Sequence, residues 1–255
     1  MKKELITNAN PKSPVSEMFR TLRTNMQYLN KKKVAQTILV TSTMQGEGKS
    51  FVAANLAIAY AQAGKNVLLI DSDMRRPRQH KLFNIAMYPG LSNFLSGVNF
   101  DRTDKEVDVR ECLYESEIEN LTLMPAGNIP PNPSELLQSE KLSELILILE
   151  DMYDAVIFDG APCLVVTDAT IVSRLVDATL LVVAHKKTKA EDLKEARIRI
   201  KRVGGNVVGV VLNRVNISSK KFNEKYYYYA NAPEPKIGKH QHNKKEDYAY
   251  EREED

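Results

Sequence analysis

The stretch Val40-Thr41-Ser42-Thr43-Met44-Gln45-Gly46-Glu47-Gly48-Lys49-Ser50 constrains this chain more than any other. An apolar run at 37–40 leads into it, and a helical pattern at 51–63 leaves it, stopping at Gly64. Strand, glycine-bearing turn and helix in that order make an anion cradle. Gly46 and Gly48 let backbone N–H groups approach an anion closely. The helix N-terminus adds free donors and a favourable dipole. In that setting Lys49 reaches the β- and γ-phosphates of a nucleotide, and Ser50 places its hydroxyl on Mg²⁺. The strict phosphate-loop pattern has glycine where this chain has Thr43, so the match is to its Gly-x-Lys-Ser end. An ordinary glycine-rich helix cap is the plainer alternative, and two acidic motifs downstream weigh against it.

The first motif is Val67-Leu68-Leu69-Ile70-Asp71-Ser72-Asp73-Met74-Arg75-Arg76-Pro77, the second Ala155-Val156-Ile157-Phe158-Asp159-Gly160-Ala161-Pro162. Each is an apolar strand pattern ending in carboxylate. In an open α/β sheet, ligands bind beyond the carboxyl ends of the strands. Asp71 and Asp73 are two apart, so in extended backbone they share a face. Asp159 supplies a second-strand carboxylate near Mg²⁺. A lone Asp after a strand is most often a cap or turn residue; three of them beside a phosphate loop point to a site. Further apolar runs at 121–124, 179–183 and 207–212 lack strict alternation, as strands covered on both faces do. Helical periodicity covers 133–150 and 190–203, and Ser13 can cap a helix with Pro14 at its first position. This alternation predicts a doubly wound, mostly parallel α/β sheet with helices on both faces.

With 255 residues, the chain can bury one large core without disulfides or structural metal. Its net charge of +3 is too small to imply nucleic-acid binding. Cys112 and Cys163 fit a reducing compartment. No apolar run approaches the ~18–20 residues of a membrane helix, and no hydrophobic region follows Lys2 and Lys3. The expected location is therefore cytoplasmic. Charge is uneven: residues 1–40 carry eight Lys and Arg against two Glu, and beyond Ser218 apolar periodicity ends. The expected division is an N-terminal helix and assembly segment at 1–35, a core at 36–217 and a disordered tail at 218–255.

The combination of Gly48-Lys49-Ser50, Asp71-x-Asp73-x-Arg75 and Asp159-x-x-Pro162 resembles the bacterial tyrosine kinases (BY-kinases). Within them it is similar to the cytoplasmic Gram-positive type that regulates capsular or exopolysaccharide synthesis. Glu17-x-x-Arg20-x-x-Arg23, Gly90-Leu91-Ser92-Asn93, Pro130-Pro131-Asn132-Pro133-Ser134-Glu135, Thr167-Asp168-Ala169 and Gly209-Val210-Val211-Leu212-Asn213 extend the match over roughly residues 12–216. One departure is Gly160-Ala161, where a Ser/Thr-Pro pair is more usual. The resemblance implies a phosphate-loop nucleoside-triphosphatase fold of the deviant Walker type that uses ATP and Mg²⁺. It implies ATP contacts from Gln45, Gly46, Glu47, Gly48, Lys49, Ser50, Phe51, Arg75 and Asn213, although Asn213 also reads as a simple turn residue. Ser50, Asp73 and Asp159 would hold the metal. Lys49, Asp71 and Asp73 would act in transfer, with Asp71 favoured over Asp73 as the base.

The resemblance also gives a use to the ends of the chain. Glu17, Arg20 and Arg23 lie close to one helical face; the family joins subunits into a ring there, while a solvated charged helix is the bland reading. Six of the 11 tyrosines fall in the last 30 residues: Tyr226, Tyr227, Tyr228, Tyr229, Tyr248 and Tyr250. They read as autophosphorylation sites, or more plainly as an adhesive tail. Implied partners are a membrane-embedded polysaccharide co-polymerase that recruits and activates the kinase, a phosphotyrosine phosphatase and further copies of this chain. Two alternatives stand beside the kinase. One is a nucleotide-binding scaffold of the polysaccharide machinery. The other is a nucleotide-switch ATPase of the partition or division-site type, whose loop carries an extra lysine where this chain has Met44.

Overall fold

The computed structural model describes residues 4–28, 35–97 and 107–216. In chain order its elements are α1 (Ile6–Ala9), α2 (Pro14–Tyr28), β1 (Thr37–Ser42), α3 (Lys49–Ala61), β2 (Val67–Asp71), α4 (Gln79–Phe83) and α5 (Leu91–Ser96). There follow β3 (Tyr114–Glu115), β4 (Leu121–Met124), α6 (Pro133–Gln138), α7 (Glu140–Met152), β5 (Ala155–Asp159), α8 (Asp168–Ser173), β6 (Ala178–Ala184), α9 (Ala190–Arg202) and β7 (Val207–Asn213). The strands form one sheet in the order β3-β4-β2-β5-β1-β6-β7. Every pairing is parallel except β3 with β4.

Two cores explain the continuous apolar strands. Leu39, Leu68, Ile70, Val156, Phe158 and Leu181 face one core, with side chains of α5 to α9. Their strand neighbours Ile38, Val40, Leu69, Ile157 and Val182 face the other, with α2 and α3. Alternation survives as a choice between two apolar layers, so polarity does not reveal it. The doubly wound sheet is as expected, with three differences in detail. The two-residue β3 is too short to leave a pattern. The helix expected over 133–150 is two helices, because Ser139 takes an extended ψ of 149°. Its hydroxyl donates to the Leu136 carbonyl at 2.7 Å, a local bond that competes with helix continuation. Third, residues 4–28 belong to the packed body: Leu5, Phe19 and Met26 are buried, and the Phe19 ring meets Phe51 edge-on at 5.7 Å. The tail at 218–255, with its six tyrosines, lies outside the described residues.

Chain order places β1 at the turning point of the sheet. β5 and β2 lie on one side of it, β6 and β7 on the other. The crevice beyond the carboxyl end of such a strand is the binding place of an open α/β sheet.

Candidate active site

The loop between β1 and α3 is held by a buried carboxylate. Glu47 is 1% exposed. Its side chain accepts from Thr43 Oγ1 at 2.9 Å, from the Met44 N–H at 3.0 Å and from Thr188 Oγ1. Its carbonyl accepts from Asn213 Nδ2 at 2.9 Å. Thr43, the departure from the strict glycine pattern, therefore serves as a loop brace. The Glu47 side chain points inward, leaving only its backbone for the expected ATP contact. Gly48 caps α3 at φ +99°, and a Cβ there would stand 2.1 Å from Asn213 Nδ2. Only glycine combines that φ with that approach. Gly46, also left-handed at φ +81°, and Gln45 lie exposed at the loop's tip.

Three carboxylates converge next to this loop. Asp71 and Asp159 are register partners at the ends of β2 and β5, and both are fully buried. Lys49 Nζ lies 2.8 Å from Asp73 Oδ2, 3.2 Å from Asp159 Oδ1 and 3.3 Å from Ser50 Oγ. Gln79 Nε2 donates to the other oxygen of Asp159 at 2.8 Å and to the Ser50 carbonyl at 3.1 Å. Asp71 Oδ2 accepts from the N–H groups of Arg78 and Gln79 at 2.7 and 2.9 Å, while its buried Oδ1 has no hydrogen-bond partner among the described residues. Burial, then the charge of Asp159, pushes the Asp71 carboxyl up to about 8 against the pull of Lys49 and the two N–H groups. For Lys49, burial acts to lower the pKa. Asp159, Asp73 and Asp71 outweigh it, so the ammonium is held more firmly than usual.

This donor set fits Mg²⁺. One lysine faces three buried acids, leaving negative charge uncompensated, and Ser50 adds a hydroxyl. Among the described residues no group of His, Cys, Asp and Glu converges to hold a metal alone. Magnesium rarely asks for that: one or two carboxylates with substrate phosphates and water suffice. The surrounding cleft has a volume of about 870 Å³ and includes Gln45, Gly46, Gly48, Lys49, Ser50 and Phe51.

Several of the expected site residues have partners within the fold. The Arg75 guanidinium grips Asp168 through Nε at 2.8 Å and Nη2 at 3.1 Å, and also reaches Ser134 Oγ at 3.0 Å. This fork ties the loop after β2 to α6 and α8, so Arg75 braces that loop while still lining the cleft. Asn213 donates to Glu47 and accepts from the Arg214 N–H at 2.8 Å, which makes it a holder of the phosphate loop. Glu17 and Arg20 pair at 2.7 Å on an open surface. Arg23 turns inward and donates to the Ala59 carbonyl at 3.0 Å. Steps of three fall short of a helical turn by ~60° each, so the third residue has drifted off the face. Sequence reasoning gave no role to Gln79, which belongs to no motif. Asp168 was visible only within the Thr167-Asp168-Ala169 match.

Known proteins resemble this chain over most of its length. The family described as CobQ/CobB/MinD/ParA nucleotide binding domain matches residues 38–240. CapB of Staphylococcus aureus is 37% identical over 88% of this chain and 94% of its own length. The tyrosine-protein kinase YwqD of Bacillus subtilis is 35% identical over 90% of this chain and 92% of its own. The kinase domain of the Escherichia coli tyrosine kinase ETK superposes with a TM-score of 0.76 at 30% identity, covering 84% of this chain and 83% of that one.

Proposed function

The chain belongs to the bacterial tyrosine-protein kinases, within the CobQ/CobB/MinD/ParA nucleotide-binding family, and we propose that it is an ATP-dependent autokinase regulating capsular or extracellular polysaccharide synthesis and export. One observation carries the chemical assignment. Asp71 Oδ1 is a buried acceptor without a partner, beside a phosphate loop and a lysine bridging two more carboxylates. A phenol with a pKa near ~10 needs such an acceptor as its proton leaves.

Phosphoryl transfer rests on positioning and charge neutralisation. The N–H groups of 46–49 cradle the phosphates. Lys49 exchanges its carboxylate partners for phosphate oxygens when ATP enters. Ser50, Asp73 and Asp159 would hold Mg²⁺, which supplies charge neutralisation on the β- and γ-phosphates. The tyrosine oxygen attacks the γ-phosphorus, the bond to the bridging oxygen breaks, and ADP departs. The phenolic proton passes to Asp71 Oδ1 in sites where that carboxyl is ionised, a fraction that grows as pH rises toward about 8. Gln79 fixes Asp159 while its own N–H helps fix Asp71.

The acceptors are the tyrosines at 226–229 with Tyr248 and Tyr250, delivered from a neighbouring copy in a ring formed through Glu17 and Arg20. Among the described residues no helix is long and apolar enough to cross a membrane. A membrane-embedded co-polymerase would recruit and activate the kinase, and a phosphatase would reset it. Met44 disfavours the nucleotide-switch alternative. Incubation with ATP and Mg²⁺, followed by mass spectrometry, tests the reading. Phosphate is expected on the six tail tyrosines and lost when all six become Phe. Phosphate mainly on Tyr28, Tyr60 or Tyr153 would contradict the assignment, and none at all would contradict the kinase.

A further inference from the structure

The cleft has two unlike flanks. β2 lies two strands from β1 on one side, and β7 lies two strands away on the other. Asn213 and Arg214 stand at the β7 side, Asp71 and Asp73 at the β2 side. Beyond Asp73 the chain sets Arg76, Arg78 and Lys81 along the cleft, all exposed. Among the described residues no ion pair engages these three, whereas Arg75 is taken up by Asp168. Apart from Asp73, the one carboxylate lining the cleft among the described residues is Glu4. Pro162, Val166 and the exposed Ile129 and Val165 add an apolar wall. A cleft lined by one sign of charge with low-dielectric walls concentrates ligands of the opposite sign. Because the cations stand on the flank of the proton acceptor, the ligand they meet is the acceptor peptide.

The chain's two tyrosine clusters differ in charge. Residues 246–255, Glu-Asp-Tyr-Ala-Tyr-Glu-Arg-Glu-Glu-Asp, hold six carboxylates and one arginine around Tyr248 and Tyr250. Residues 220–231 hold three lysines and one glutamate around the four consecutive tyrosines. We propose that the rim formed by Arg76, Arg78 and Lys81 selects tyrosines set in acidic sequence, and that the 246–255 segment of a second copy is its preferred occupant. This deepens the kinase reading and rests on it. The 226–229 cluster is then the slower substrate, modified after the acidic pair.

The test uses the full-length protein with ATP and Mg²⁺ and three synthetic peptides. These are residues 244–255, residues 220–231, and a form of 244–255 with its six carboxylates replaced by amides. Three exposed charge contacts allow roughly a tenfold higher kcat/KM for the acidic peptide than for either other, shrinking as salt rises. An Arg76→Gln/Arg78→Gln/Lys81→Gln variant should lose that advantage and treat the amide peptide as wild type does. Equal use of all three peptides by the wild type overturns the proposal, as does an acidic preference that survives in the variant. A raised KM for ATP with peptide preference intact would give the rim to the nucleotide and also overturn it. Phosphate on no peptide and none on the chain would instead remove the kinase reading itself.

Discussion

Lys49 stands in two charge balances at once. In the nucleotide-free protein it bridges Asp73 and Asp159; with nucleotide present the phosphates need it. Lys49→Met should therefore abolish phosphorylation and also destabilise the fold, since it leaves buried carboxylates uncompensated, a loss of roughly 3–5 kcal/mol. Urea unfolding at neutral pH checks the second half; unchanged stability would mean the bridge carries no weight. Asp71 gives the opposite sign. Its carboxyl titrates near 8 in the fold against about 3.9 unfolded. Between those values the folded chain keeps a proton that the unfolded chain has released, so stability falls as pH rises from about 4 to about 8. In chelator-treated, nucleotide-free protein, Asp71→Asn should flatten that fall and raise Tm above wild type at pH 8, by roughly 2–4 °C per kcal/mol regained. A lower Tm for the variant at pH 8 would contradict the assignment. These residues were legible because a carboxylate at a strand end beside a phosphate loop has few other uses. Gln79 was not, because a glutamine acquires its role only from what folding brings to both ends of its amide.

Apart from the two-residue β3, strands were legible almost to their ends, since burial on two faces demands continuous apolar runs, although the apolar edge strand β7 leaves Val210 and Leu212 exposed. Helix boundaries were less so. The leucines at 136, 137, 142, 145 and 149 look continuous whether or not Ser139 breaks the backbone between α6 and α7. The phosphate loop shows a further limit: its glycines were plain, but its bracing by Asn213 of β7 joins residues 166 apart and leaves no local mark. Gly48→Ala probes that brace. A left-handed φ and a 2.1 Å approach to Asn213 force either the loop or Asn213 to move. The expected outcome is more than tenfold weaker Mg-ATP binding by calorimetry, with roughly 1–3 kcal/mol of lost stability. On α2, the inward turn of Arg23 separates two effects. Arg23→Ala should lower Tm through the lost bond to Ala59, while Glu17→Ala/Arg20→Ala should leave Tm near wild type.

For the whole molecule, the proposed reading would couple phosphorylation and assembly by charge. Each phosphotyrosine adds about −1.5 to −2 near neutral pH. A multiply phosphorylated tail would repel its neighbours and the acids at 71, 73 and 159, and the ring should loosen. With the cytoplasmic segment of a membrane co-polymerase supplied, light scattering should find a large species only for dephosphorylated wild type. Phosphorylated protein and Glu17→Ala/Arg20→Ala should both stay small, and equal masses for all three would sink the coupling. The central claim is that Asp71 accepts the tyrosine proton while Asp73 and Asp159 serve the metal. A single-turnover experiment on Asp71→Asn, with Mg-ATP affinity measured on the same sample, tests it most directly. The account predicts affinity within a few-fold of wild type and transfer slowed roughly 10²–10⁴-fold, the worth of general-base assistance. Retained turnover with lost Mg-ATP affinity would contradict it and exchange the roles of Asp71 and Asp73.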